Sequence, residues 1–185
     1  MIIIYDNYII NLIKIQDNIN MINEEIIIRM IKFDEGDPKR IQHFLKVYEF
    51  AHLIGLKENL NSETLKILDI TSIMHDIGII PSEKKYGYQN GKLQEIEGPI
   101  YARELLKEFK EVKEEEIERI CFLIGHHHTY SDVDNIDYQI LLEADFLVNA
   151  YEDNLNKDNI IEFKNKVFKT KTGTNLLDTM FKLKD

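Results

Sequence analysis

Apolar side chains recur every three or four positions along most of the chain, the spacing of helices with one buried face. NINMINEEIIIRMIKF predicts a helix from residue 19 that ends near Gly36. DPKRIQHFLKVYEFAHLIG is the clearest element: Asp37 suits the N-cap, Pro38 the first helical position and Gly55 the C-terminal stop. NSETLKILDITSIMHDIG predicts a helix from Asn61 or Ser62 to Gly78. IPSEKKYGYQNGKLQEIEGP holds two prolines and three glycines, too many for a helix and too long for a tight turn, so it reads as a working loop. Pro99 would open the next helix, PIYARELLKEF. KEEEIERICFLIGHHH is a helix with acids in its first turn, and IDYQILLEADFLVNAYED follows. The tail predicts two short amphipathic helices around Gly173. Period-two alternation and paired turns are missing, so the expected class is all-α.

A length of 185 residues suits one domain. Its expected parts are an N-terminal helical segment over 1–36, a core over 37–153 and C-terminal helices over 154–185 packed on the same core. Residues 1–20 are rich in Ile and Asn and carry two readings: a short amphipathic helix, or an upstream extension with Met21 as the natural start. No apolar run is long enough to predict a membrane span, and the first residues lack the basic region and cleavage site of a signal peptide. The single cysteine, Cys121, cannot form an internal disulfide and sits in a buried run. The cytoplasm is therefore the expected compartment. A formal net charge of −10 opposes binding to a nucleic-acid backbone, though local cations still permit a small phosphorylated ligand.

Polar residues at apolar positions carry the chemistry. On the helix from Pro38, His43 shares a stripe with Val47, Phe50 and Ile54, while His52 faces the other way. The helix LKILDITSIMHDIG is apolar nearly all round, yet His75 and Asp76 stand at its end. On YQILLEADFLVNAY, Asp145 shares a face with Tyr138, Leu141, Leu142 and Val148. Each exception alone has a bland explanation, a satisfied core histidine or an Asp paired with Arg. Together they are imidazole and carboxylate donors on three central helices, the set that zinc, manganese and iron take. Adjacent helical residues lie ~100° apart, so His75 and Asp76 share one centre only near its edge. The same fanning means that His126, His127 and His128 cannot all face one point unless the helix ends there.

RIQHFLKV, SIMHDIG and LLEADFL, taken in that order, resemble the motifs of the HD-domain superfamily of metal-dependent phosphohydrolases, an all-α fold named for its His-Asp doublet. The resemblance covers about Asp37 to Asp153. It implies a compact helical bundle in which His43, His75, Asp76 and Asp145 hold a first divalent ion (Fe, Mn, Zn or Mg). Members with a second ion add histidines after the doublet. Here Glu97 of IEGPIYA aligns with the first of these, and His126 and His127 with the others, leaving His128 for solvent or substrate. Many relatives carry Lys directly after HDIG, where this chain has Ile79, so phosphate-binding lysines would come from Lys84, Lys85 or Lys92. Arg40, one turn before His43, is a candidate phosphate contact or a structural ion pair.

The activity so implied is hydrolysis of a small phosphate ester, nucleotide or dinucleotide by metal-activated water, with Asp76 bridging two ions and Arg40 assisting. Two alternatives stay open. One is a diiron oxygenase on the same ligand set. The other is a non-catalytic regulatory module with a structural metal.

Overall fold

The computed structural model describes residues 21–183, so the two readings of 1–20 lie outside it. Nine helices and no strand occur among the described residues. They are α1 (21–33), α2 (Pro38–Lys57), α3 (Ser62–Met74), α4 (Ile79–Tyr86), α5 (Gly91–Leu106), α6 (Glu114–Ile124), α7 (Ile136–Glu152), α8 (Lys157–Val167) and α9 (Lys171–Phe181). None is long and apolar enough to cross a membrane.

The packing centres on α2, α3 and α7. Helix α2 lies between α3 and α7, and α3 also touches α6 and α7. Helix α3 is buried from Leu65 to Met74 except at the half-buried Ile67, and feeds two apolar clusters. Leu68 joins Val47, Ile54, Tyr138 and Leu141 in one. Ile70, Ile73 and Met74 join Ile26, Phe44, Ile120 and Ile124 in the other. Each such fully buried side chain contributes about 1.5–3 kcal/mol, so the end of α3 is held from both sides. Ile160, Val167 and Leu177 of α8 and α9 enter the α7 cluster.

Sequence signals set the starts of these helices well. Asp37 caps α2 by accepting from Arg40 N at 3.0 Å, with Pro38 in the first turn, and Asn61 caps α3 by accepting from Thr64 N at 2.9 Å. The predicted ends move. Gly55 does not stop α2, which runs on to Lys57. A Cβ there would lie 2.7 Å from Leu65 Cδ1, so Gly55 lets α2 and α3 approach, and Asn59 takes the left-handed conformation at φ 60°. Helix α3 ends at Met74, not Gly78: Ile77 N donates to Met74 O and Ile79 N to Asp76 O, a tightened turn that carries His75 and Asp76 out of the helix. Gly173 lies inside α9 and does not separate the tail helices.

The working loop is the main correction. Within residues 80–98 lie nearly all of α4 and the first half of α5, and Pro99 lies inside α5 instead of opening it. Asn90 starts α5 by accepting from Leu93 N at 2.9 Å. Gly87, at φ 81°, ends α4. Pro99 leaves the Glu95 carbonyl without its helical donor, a cost that tertiary packing of α5 against α4 and α6 overrides. That packing is close: a Cβ on Gly78 would lie 2.6 Å from Gln94 O and 2.9 Å from Gly98 N. The glycines read as loop signals are thus partly contact points between backbones.

Candidate metal centre

Three of the four polar exceptions meet where α2, the turn after α3 and the middle of α7 converge. His43, His75 and Asp145 are buried, and they offer donor atoms within 4.8 Å of one another. His43 Nε2 lies 3.2 Å from both His75 Nε2 and Asp145 Oδ1, and His75 Nε2 lies 3.6 Å from Asp145 Oδ1. Asp76 Oδ2 adds a fourth corner, 3.6 Å from His43 Nε2 and 3.5 Å from His75 Nε2. Four ligands at ~2.05 Å from a tetrahedral ion would be ~3.3–3.4 Å apart. These separations bracket that edge.

The outward nitrogens show which way the lone pairs face. His75 Nδ1 donates to Ser72 O at 2.9 Å, because a carbonyl can only accept. His43 Nδ1 lies 3.0 Å from Glu152 Oε2, and a carboxylate likewise accepts. Neutral rings so arranged point two lone pairs at each other across 3.2 Å. A cation must sit between them, either a proton or a metal ion. In the protein without metal a proton serves. Burial opposes charge on His43, but the Asp145 and Asp76 carboxylates outweigh it and push the ring up to about 9. Burial likewise opposes ionisation of Asp145, and the His43 and His75 rings overcome it and hold it far below the usual carboxylate range.

A second group adjoins the first through Asp76. Asp76, His127 and His128 also offer donors within 4.8 Å. His127 Nδ1 donates to Ile124 O at 2.8 Å, so its lone pair is on Nε2. That Nε2 is buried, makes no hydrogen bond, and lies 3.6 Å from Asp76 Oδ1. A buried lone pair facing a carboxylate oxygen is unfavourable without a cation between them. This orphaned atom, with the tetrahedral spacing beside it, fits a divalent ion. Asp76 thus turns Oδ2 to one group and Oδ1 to the other. Burial and the neighbouring His127 push His128 down to about 4, which keeps it neutral. Its Nε2 contacts Gln94 Oε1 at 2.8 Å while the Gln94 amide N–H donates to Gln89, so the His128 lone pair is on Nδ1.

In the structure His126 does not share a donor group with His127. His126 stacks on Phe122 with ring centroids 4.3 Å apart and bonds through Nδ1 to Phe122 O. Helix α6 stops at Ile124 and the histidines follow in a turn, in which His126 faces out while His127 and His128 face in. Glu97 is buried but is not among the clustered donors. Its Oε1 accepts from Lys85 Nζ and Tyr86 OH, both at 2.7 Å, which hold its carboxyl below its usual range. Lys85 is therefore spent on Glu97. Lys84 and Lys92 do not reach the cavity either: Lys84 closes the exposed end of α4, and Lys92 lies 3.9 Å from Glu95. Helices α4 and α5, in place of a loop, aim these lysines away.

A cavity of about 350 Å³ opens onto both groups, and Asp37, Lys39, Arg40, Gln89, Gln94 and Asn149 are among its walls. Its cations are Lys39 and Arg40. Arg40 is held by Asp37 Oδ2 at 3.1 Å and Glu83 Oε1 at 2.6 Å, so it is both an ion pair and a cavity wall. Sequence reasoning missed Glu152 and Asn149. Asn149 Nδ2 donates to Asp145 Oδ1 at 2.8 Å, and Glu152 joins His43 to Lys46. A signal was present, since Asp145, Asn149 and Glu152 stand at i, i+4 and i+7 on one face of α7.

Residues 40–161 match the family model described as HD domain. The crystal structure of a predicted HD superfamily hydrolase from an uncultured Thermotogales bacterium superposes with a TM-score of 0.63 at 22% identity, over 86% of this chain and 85% of that one. At that identity the likeness is one of fold. No curated protein matches the chain.

Proposed function

The chain belongs to the HD-domain family, and on that premise we propose that it is a metal-dependent phosphohydrolase acting on a small phosphate ester. The observation that carries the reading is the split Asp76 carboxylate, one oxygen toward His43 and His75 and the other toward the orphaned His127 Nε2, at the floor of an open cavity. His43, His75, Asp76 and Asp145 would hold one ion, and Asp76, His127 and His128 a second. Divalent ions there supply Lewis acidity and an activated water for attack at phosphorus.

The protein's own share is positioning and charge. The Ser72 and Ile124 carbonyls fix the tautomers of His75 and His127, so no ring must reorient when a ligand arrives. Gln94 does the same for His128. Asn149 fixes Asp145 Oδ1. Lys39 and Arg40 stand at the start of α2, on the cavity wall, where they would face phosphate oxygens. Asp37 and Glu83 hold the Arg40 guanidinium in place.

The test is anaerobic purification with elemental analysis, then a panel of phosphate esters. Phosphate release should vanish on chelation and return with manganese or iron. If the metal-loaded chain releases phosphate from no ester in a broad panel, the hydrolase reading fails. If His75→Ala and Asp145→Ala both leave metal content unchanged, the metal site itself is wrong.

A further inference from the structure

Beyond the metal-facing donors, the described residues of the cavity wall carry polar or charged groups, with one exception. Asp37, Lys39, Arg40, Gln89, Asn149 and Asp153 line it, and among the described residues Ile79 is its one apolar side chain. Among the described residues no Phe or Tyr lines it, and its rings are the metal-facing imidazoles of His43 and His128. The aromatic side chains next in sequence to Gln89 are accounted for elsewhere: Tyr86 donates its hydroxyl to Glu97, and Tyr88 is exposed outside the cavity.

From this lining, and resting on the hydrolase reading above, we propose that the part of the substrate beyond the phosphate is a small, polyhydroxylated, non-aromatic group, as in a sugar or polyol monophosphate, and not a nucleobase. A base offers two apolar faces, and a site that binds one commonly stacks it on an aromatic side chain. Here such faces would lie against amides and carboxylates and would desolvate them without return. Hydroxyl groups both donate and accept, and these walls answer both. Asn149 spends one N–H on Asp145, which leaves its second N–H as a donor and its Oδ1 as an acceptor. Asp153, exposed at the end of α7, is a second acceptor, and Lys39 is a donor. A cavity of about 350 Å³ admits one monophosphate of modest size and is small for a dinucleotide.

The experiment uses the full chain loaded with manganese. Rates are compared for glucose 6-phosphate, glycerol 3-phosphate, AMP and p-nitrophenyl phosphate. The expected result is a kcat/KM for the sugar or polyol ester at least about tenfold above that for AMP, the selectivity worth one missing stacking contact. Asp153→Leu should raise KM for the preferred polyol ester several-fold and leave KM for p-nitrophenyl phosphate unchanged. Equal or better turnover of AMP overturns the proposal, as does an Asp153→Leu effect shared equally by all four esters. If none of the four is hydrolysed, the hydrolase reading is what has failed. The wall chemistry is then judged by calorimetric binding of glucose 6-phosphate and AMP to the same protein: tighter glucose 6-phosphate supports it, and equal or tighter AMP overturns it.

Discussion

Glu152 is the residue through which the reasoning about the metal centre is most exposed. Its two oxygens each accept from a different donor, Oε2 from His43 Nδ1 at 3.0 Å and Oε1 from Lys46 Nζ. Only a carboxylate can accept at both oxygens. In Glu152→Gln one oxygen becomes an amide N–H₂, so one of the two donors must face another donor. The site is largely shielded from water, with 11% of the Glu152 side chain exposed and 9% of His43. Lys46, 39% exposed, can turn to water, so what Glu152→Gln removes from the shielded His43 is the negative charge behind its ring. A carboxylate behind a ligating imidazole fixes its tautomer and raises its basicity, and losing it weakens metal binding by about 10–100-fold, or roughly 1.4–2.7 kcal/mol. Competition titration against a chromophoric chelator, with zinc or manganese, reads this directly and needs no substrate. Glu152→Ala should be at least as weak as Glu152→Gln. Lys46→Met should stay within about threefold of wild type, because it removes one donor and leaves the carboxylate with His43. Wild-type affinity in both Glu152 variants refutes the positioning argument. A loss in Lys46→Met equal to that in Glu152→Gln refutes it as well, since general charge balance would then explain both.

Three further outcomes follow from other parts of the molecule. Asp34 is buried at the end of α1, and burial, opposed by Arg40 and aided by Asp76 and Asp37, raises its carboxyl to about 6. The folded state binds this proton more tightly than the unfolded chain does, so the group's contribution to stability is present below its ordinary range and is lost as pH rises through 6. In metal-free protein Asp34→Asn should therefore stabilise at pH 8 by on the order of 2–3 kcal/mol and by little at pH 4, read from urea unfolding at each pH; an equal gain at both pH values would reject this. Lys66 is buried and donates to both Glu116 oxygens, at 3.0 and 2.8 Å, and to Glu111 O at 2.8 Å. Lys66→Met should cost about 3–5 kcal/mol in chemical denaturation, with much of it recovered by adding Glu116→Leu; a double variant no better than the single would contradict the ion-pair account. Gly78→Ala drives a Cβ to within 2.6 Å of the Gln94 carbonyl, so it should cost about 1–3 kcal/mol and lower affinity at the His128-containing site, and a variant with wild-type melting temperature and metal binding would disprove that close approach.

The first donor group was legible because helical periodicity determines it. His43, and Asp145 with it, occupy positions where a 3.6-residue period demands an apolar side chain, and a buried polar residue there needs a reason. His75 and Asp76 were legible for the same cause, at the end of a helix that is apolar nearly all round. Asn149 and Glu152 continue the Asp145 stripe on α7 and were within reach of the same argument.

The second group was decided by tertiary structure. Periodicity stops being a guide where helices end, and His126, His127 and His128 lie just past the end of α6. Whether a ring turns in or out there depends on which carbonyl takes its outward N–H, Phe122 O for His126 and Ile124 O for His127. The stretch 80–98 failed for a related reason. Gly and Pro are weak local evidence for a loop, and close packing of Gly78 against Gly98 and Gln94 makes the same residues useful inside a helical pair. Once those residues are helical, Lys85 falls on Glu97 and no lysine of the stretch reaches the cavity. The sequence by itself determined an all-helical chain and singled out the residues of the first donor group, because both follow from the local period of the chain. The tertiary structure alone decided which histidines complete the centre, which carboxylate supports His43 and what chemistry lines the cavity, because those are contacts between residues far apart in sequence.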